Sequence, residues 1–486
     1  MSSRPDTGRR AGGGRSGGRA AGGQAVVLGA GLAGMFAAAA LSRHMERVVV
    51  VERDRLPEGP EWRRGVPQSR HAHNLMTAGH TAMNRLLPGV RDELRDAGMV
   101  EVGMPRDMLL LTAGGWMPRF TTPLFMMTSS RDLIDWVVRD RLHADPKVEF
   151  LEETEAVGLL TEGPRHAEVR GVRVRGRDAS REAGRGEPYE IEADFVVDAT
   201  GRRSRTPEWL RAMGYETPSE SVVDAQVAYS TCVFDPPPGH EADWNCVLLQ
   251  STPDAPRQGI LNPIEGGRWM VSLAAMGGER PPLDHDGFLG YARTLRSPVL
   301  YDTLVKARPV GPVHGSGRTE NRRRHYERLR RWPERFLVLG DGAGALNPSY
   351  GQGMSVAACS AVALDEALAA AGGPAGVASG MRKKVARCID TAWAIAATGD
   401  LGYPWAINDA GLSTRMKLRY LYRVVGASAW SKPAARALLD LNQMVSSPAA
   451  VFRPRVVTAV MRGSRQVSDL PPALAERPPL THADLP

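Results

Sequence analysis

Cysteine is scarce and scattered. Cys232, Cys246, Cys359 and Cys388 form no C-x-x-C pair. That argues against a disulfide framework and a paired-thiolate zinc site, and a reducing, cytoplasmic location is expected. Long apolar runs are also missing: no stretch approaches the roughly 18 uninterrupted apolar residues that mark a membrane-crossing helix. Acidic residues are nearly absent from positions 1–23, where Arg4, Arg9, Arg10, Arg15 and Arg19 face Asp6 alone and supply +4 of the formal net charge of +8. No apolar block follows Arg9-Arg10, so the pair is not read as an export signal. The Gly/Arg composition of residues 1–23 predicts a disordered, solvated extension rather than a nucleic-acid-binding arm.

What is present begins at Gln24. A short apolar run, Ala25 to Leu28, leads into Gly29, Gly31 and Gly34 in G-x-G-x-x-G spacing, then an Ala-rich helical stretch, then Val48 to Val51 ending at Glu52. The pattern is strand, Gly-rich turn, helix, strand. Gly29 suits the tight turn, Gly31 the close approach of a pyrophosphate, and Gly34 the packing of helix on strand. The helix start offers free amides and partial positive charge to an anion. Glu52, 18 positions after Gly34, can accept hydrogen bonds from a ribose diol. Arg63 and Arg64, in a Pro-rich loop at the tip of that strand, have the fork geometry to clamp a pyrophosphate. His71 and His73 are two apart and do not share a helix face, so no metal pair is expected.

At 486 residues, 42% hydrophobic and 24% charged, the chain can hold two or three domains. Ser130 caps a predicted helix to Asp140. Residues 161–190, charged and Gly-rich around Val169 to Val174, predict an exposed hairpin. Ile191 to Val197 is a buried strand running into Asp198-Ala199-Thr200-Gly201. Residues 225–318 change to strands and turns, with a hairpin at Glu265-Gly266-Gly267. Arg322 to Arg331 is very basic but carries Tyr326 as its one interleaved aromatic, so a solvated or substrate-facing surface is expected. Phe336 to Leu339 leads into Gly340-Asp341-Gly342-Ala343-Gly344-Ala345-Leu346-Asn347-Pro348, with Gly351-Gln352-Gly353-Met354 opening a long helix. Asp341 can accept from a polyol hydroxyl, and the amides at the helix start can stabilise negative charge. Tyr420 to Met461 predicts short helices broken by Pro433, Pro448 and Pro454.

The fold class predicted is α/β: a Rossmann-like nucleotide-binding domain (24–101, 124–215 and 330–398), an inserted mixed β-sheet substrate domain (102–123 and 216–329), and a C-terminal helical region (399–486) with a frayed end. The three motifs G-A-G-L-A-G…E-R, D-A-T-G and G-D-G-A-G-A-L-N-P…G-Q-G, in that order, resemble the FAD-dependent monooxygenases of the aromatic hydroxylase superfamily. The strings R-R-G-V-P-Q-S-R-H-A-H, S-S-R-D-L-I-D, N-P-I-E-G-G-R-W and N-R-R-R-H-Y-E-R-L resemble a narrower branch, the bacterial epoxidases of polyether ionophore biosynthesis. The resemblance covers about residues 24–400.

That resemblance implies FAD as cofactor. Gly29, Gly31 and Gly34 would hold the pyrophosphate, Glu52 the adenosine ribose, and Arg53 would lie near the adenine. Arg63 would reach the pyrophosphate, Arg131 the ribityl–phosphate region, and Val157 the adenine through its backbone. Asp198 and Gly201 belong to the central motif, and Asp341 would bind the ribityl chain. Pro348, Gly351, Gly353 and Met354 would line the isoalloxazine. NAD(P)H, directly or through a flavin reductase, would be the electron source. The partners implied are O2 and a hydrophobic small molecule, with no nucleic acid and no membrane span. No phenol-activating base is evident and no catalytic side chain is assigned. Oxygen transfer from a flavin C4a-hydroperoxide to an alkene of a polyketide-like chain is therefore the reading taken. Hydroxylation of an aromatic or polycyclic substrate is the alternative. A halogenase or prenyl reductase shares the fold, but W-x-W-x-I-P is missing. A non-catalytic flavin- or RNA-binding protein is the reading from another class.

Overall fold

The computed structural model describes residues 23–177, 186–317, 319–406, 412–463 and 469–473. The expected disorder of residues 1–23 therefore falls, Gly23 apart, outside the described residues, as does most of the expected frayed end.

Five parallel strands form the sheet that organises the chain, in the spatial order Phe336–Val338, Phe195–Asp198, Gln24–Leu28, Arg47–Val51, Val148–Leu151. Their sequences are nearly continuous apolar runs because both faces are covered. Helix Leu32–Leu41 is buried at every residue but Ala33. It has no polar face because it lies between this sheet and helix Gly353–Ala371. The latter helix is long and apolar enough to cross a membrane, but it also packs on helices Thr77–Leu86 and Val377–Asp400 as the core of the domain.

A second sheet of seven strands carries Met108–Thr112, Gly115–Trp116, Ala228–Asp235, Cys246–Leu249, Arg257–Ile264, Arg268–Ala275 and Arg308–Ser316. Its pairs are antiparallel except where Met108–Leu111 runs parallel to Cys246–Leu249. The hairpin at Glu265–Gly267 turns through Gly266 and Gly267 at φ 72° and 68°. One face of this sheet, including Phe234, Val271 and Leu273, packs on helices His285–Ala292 and Val299–Leu304. The alternate positions, among them Tyr229, Thr231 and Ser272, are left for the other face.

Three expectations are corrected. The hairpin expected over residues 161–190 is corrected in its exposure: Glu168–Gly176 pairs antiparallel with Thr154–Glu162 and Tyr189–Glu192 in a three-stranded sheet, and Val169, Val172 and Val174 are fully buried against the nucleotide domain. The alternation V-x-x-V-x-V marked a half-buried strand, and the surrounding charges belong to its outer face. The basic run is only partly a solvated surface. Asn321–Arg324 is a strand, and Arg323 and Arg324 are struts to Asp390 and Glu220. The C-terminal prolines start helical segments rather than break them: Pro433 and Pro454 sit in the first turns of helices Lys432–Asn442 and Pro454–Met461, where no backbone N–H is needed.

Two substitutions separate the faces of the three-stranded sheet. Val172→Ala should cost about 2 kcal/mol through lost burial and a residual cavity. Arg173→Ala, which removes an exposed pair with Glu190, should change stability by about 0.5 kcal/mol or less. Urea unfolding of both variants checks the contrast.

Candidate active site

Parallel register decides where the motifs meet. Leu28 pairs with Val51 and with Asp198, and Asp198 with Val338. All the loops that follow these strands leave one edge of the sheet, the usual location of a ligand crevice in open α/β sheets. Contacts between the loops are close. Gly29, at φ 95°, is backed by the Ala199 carbonyl, which a Cβ would approach to 2.9 Å. A Cβ on Gly340, at φ 63°, would meet that of Ala33 at 2.6 Å. A Cβ on Gly201 would lie 3.9 Å from that of Asp341, and one on Gly353 3.9 Å from the Asp341 carboxylate. Residues from three motifs that are far apart in the chain thus meet at one edge of the sheet.

Gly34 and Gly31 differ sharply. A Cβ on Gly34 would fall 1.8 Å from the Gly29 carbonyl oxygen, whereas one on Gly31 would meet no atom within 4 Å. The loop is closed on its helix side and open above Gly31. Helix Leu32–Leu41 has no side-chain cap, so its first amides are available to a ligand.

Glu52 secures the far side of the turn. Its carboxylate accepts from the Ala30 amide at 2.8 Å and the Asp54 amide at 3.0 Å, and pairs with Arg63 at 3.0 Å. Arg63 also donates to the Ala30 carbonyl at 2.7 Å. Burial alone would raise the Glu52 ionisation, but Arg63 and the two amides outweigh it and hold the carboxyl below its ordinary range. Arg53 is more exposed and lies 3.9 Å from Asp54. Val157 sits at a bulge: pairing passes from Ala156↔Val174 to Gly158↔Arg173, leaving Val157 without a cross-strand partner.

Asp198 is fully buried and saturated by its own segment, accepting from the Thr200 amide and hydroxyl and the Ser204 and Thr206 hydroxyls. Asp341 is different. Its side chain is 37% exposed, with Arg202 at 3.8 Å. Enclosure by protein pushes its carboxyl above the ordinary range, while Arg202 and Arg131 pull the other way. Arg131, at the start of the Ser130-capped helix, is held by Asp135 at 2.6 Å. Pro348 is exposed, Gly351 and Gly353 are half-buried and Met354 is buried. Gly351 has φ 67°, and helix Gly353–Ala371 likewise has no side-chain cap.

Sequence reasoning missed the polar contacts that tie the segment His71–Asn74 to the seven-stranded sheet. His71 Nδ1 bonds to the Thr231 hydroxyl at 2.9 Å, and Thr231 to Ser272 at 2.6 Å. Asn262 donates to Asn74 at 2.7 Å, beside Gly351. His71 and Thr231 are 160 positions apart, and no local pattern joins them. Burial, reinforced by neighbouring cations, lowers His71 to about 4 and His73 to about 3. Both imidazoles are neutral at physiological pH.

A profile of the FAD-binding domain matches residues 23–398. The chain belongs to the FAD-binding domain family. It is 31% identical over 401 residues to protein Rv3254 of Mycobacterium tuberculosis, covering 78% of this chain and 80% of that protein. In fold, this FAD-binding protein is similar to the flavin-dependent brominase Bmp2 (TM-score 0.62, 13% identity, 90% of this chain and 98% of the brominase). It is also similar to the p-nitrophenol 4-monooxygenase PnpA of Pseudomonas putida (TM-score 0.57, 19% identity, 87% of this chain and 98% of PnpA). An FAD-binding fold with several sheets, followed by a C-terminal helical region beyond the matched residues, is the architecture the sequence predicted.

The two glycines give a direct check. Gly31→Ala should leave unfolding stability within about 0.5 kcal/mol of wild type, because its methyl meets open space. Gly34→Ala should destabilise by about 1–3 kcal/mol, because strand and helix must separate. Thermal and urea unfolding of the pair tests both.

Proposed function

We propose that this protein is an FAD-dependent monooxygenase that epoxidises alkenes of a hydrophobic, polyketide-like substrate. The observation that carries the cofactor reading is the grouping at one sheet edge: an open Gly31, an uncapped helix start, Glu52 at the neighbouring strand tip and an accessible Asp341 at the third. These features fit FAD from end to end. Gly29, Gly31 and Gly34 and the amides behind them hold the pyrophosphate. Glu52 Oε1 accepts one amide and keeps a lone pair for the adenosine ribose. Val157, free of ladder pairing, offers backbone to the adenine, with Arg53 nearby. Arg131 serves the ribityl–phosphate region and Asp341 the ribityl hydroxyls. Pro348, Gly351, Gly353 and Met354 line the ring system. Arg63 acts through Glu52 and the Ala30 carbonyl, which sets the shape of the turn. Once bound and reduced by NAD(P)H, directly or through a reductase, FAD would activate O2, so that one oxygen atom goes to the substrate and the other leaves as water.

The protein's own contribution is position and dryness. The inserted sheet has a partly apolar face, with Met108, Leu110, Leu248 and Ile260 packed alongside Leu438 and Leu439 of the C-terminal region. The histidines at the seam, His71 and His73, are weak bases, because burial holds their ionisation at about 4 and about 3, and so are poorly suited to deprotonate a phenol. An alkene requires no deprotonation, and this favours epoxidation. Hydroxylation of an aromatic substrate is the second reading, supported by the likeness of fold to PnpA.

Heat-released flavin should be FAD, and chromatography yielding FMN alone would overturn the cofactor reading. Asp341→Ala should weaken FAD binding by about 1.5–3 kcal/mol in a fluorescence titration while the protein stays folded. With labelled O2, one labelled atom should enter an epoxide, at a rate nearly flat across the range where phenols ionise. A labelled phenolic hydroxyl, with a rate rising through that range, would favour the hydroxylase.

A further inference from the structure

Asp400 ends helix Val377–Asp400 and is fully buried. Among the described residues it has no cationic partner. Its carboxylate instead accepts from three neutral side chains: Asn321 Nδ2 at 2.6 Å, Asn347 Nδ2 at 3.1 and 3.0 Å, and the Tyr350 hydroxyl at 2.9 Å. Two of these donors belong to the loop Asn347–Gly351. The third, Asn321, accepts from the Asn347 amide through its Oδ1 at 2.8 Å, and the Asn347 Oδ1 caps the Ser349 amide at 3.0 Å. Each amide side chain is thereby fixed in orientation, its oxygen on a backbone N–H and its nitrogen on Asp400. The approach is tight: a Cβ on Gly399 would lie 2.0 Å from the Tyr350 hydroxyl. A buried charge without a counter-ion is costly, so its retention points to work beyond packing.

We infer that Asp400 is a positioning residue whose charged form clamps the loop Asn347–Gly351 in the shape that receives the cofactor ring. The cofactor half of this inference rests on the FAD reading above. The ionised carboxylate satisfies all three donors. The protonated group gains a donor of its own and faces donors on three sides. The titratable groups facing it are Tyr350, Tyr403, Tyr422 and Asp224, none of them cationic at physiological pH. Burial raises the Asp400 ionisation to about 6, against the three hydrogen bonds that lower it. For an acid raised in the folded state, the stabilising contribution is full below the ordinary carboxylate range and is lost as pH rises through about 6. The clamp and the fold therefore respond to pH with opposite signs, which a merely structural residue would not do.

Asp400→Asn and Tyr350→Phe in the full chain test this. Hydrogen exchange at the amides of residues 347–351 reads the clamp without reference to cofactor, and FAD titration from about pH 5 to 8 reads its consequence. Asp400→Asn should speed exchange and weaken FAD binding about tenfold at pH 7.5, with no loss of melting temperature there, and should abolish the weakening that wild type shows on acidification. Tyr350→Phe, which keeps the charge, should change exchange about threefold and retain the pH dependence. Wild-type exchange rates in both variants would overturn the clamp. Altered exchange with a wild-type FAD affinity and pH profile would overturn its link to the cofactor. If wild type binds no FAD at any pH while exchange responds as expected, the clamp stands and the FAD reading falls.

Discussion

A Cβ on Gly34 would come 1.8 Å from the carbonyl oxygen of Gly29, so the first helix lies on its own turn with no side chain between. That approach fixes the angle at which Leu32–Leu41 leaves the sheet. It also directs the helix start, with its unpaired amides, at the strand edge. Glu52 and Arg63 then hold the turn from the other side through Ala30. Because register aligns Leu28, Val51, Asp198 and Val338, everything assembled at this edge takes its position from those few contacts.

Two carboxylates at neighbouring strand tips have opposite assignments, and environment decides them. Asp198 is enclosed by four donors from its own loop and has no capacity left for a ligand. Asp341 keeps an accessible face. The sequence presents both as an acid following an apolar strand. Only the hydroxyls at Thr200, Ser204 and Thr206, close behind Asp198, hint at which one is structural.

Much of the nucleotide side was legible because its signals are local. Glycine spacing, a strand ending in an acid and an Ala-rich helix each reflect backbone requirements within a few residues. The strands at Cys246, Gly259 and Arg268 were likewise readable from alternation and the Gly266-Gly267 turn. The His71–Thr231 and Asn74–Asn262 contacts were not, since they join segments 160 and 188 positions apart. Nor was the Asp400 cluster, whose members Asn321, Asn347 and Tyr350 carry no spacing rule relating them to the end of a helix. The buried face of Val169, Val172 and Val174 was misread because flanking charge was weighed above period.

The parallel sheet also sets an order of assembly. Gln24–Leu28 waits for Phe195–Asp198, which in turn pairs with Phe336–Val338. Helix Leu32–Leu41 is covered only when Gly353–Ala371 arrives. Met108–Leu111 pairs with Cys246–Leu249, 138 positions later. On a ribosome, the N-terminal strand and its apolar helix have Arg47–Val51 close behind them, but they emerge long before the strand and helix that complete their burial. Pairing at such separations is slow and exposes apolar surface in the interval. The same topology that gathers three distant loops at one sheet edge leaves apolar surface of the nascent chain uncovered until most of it has been made.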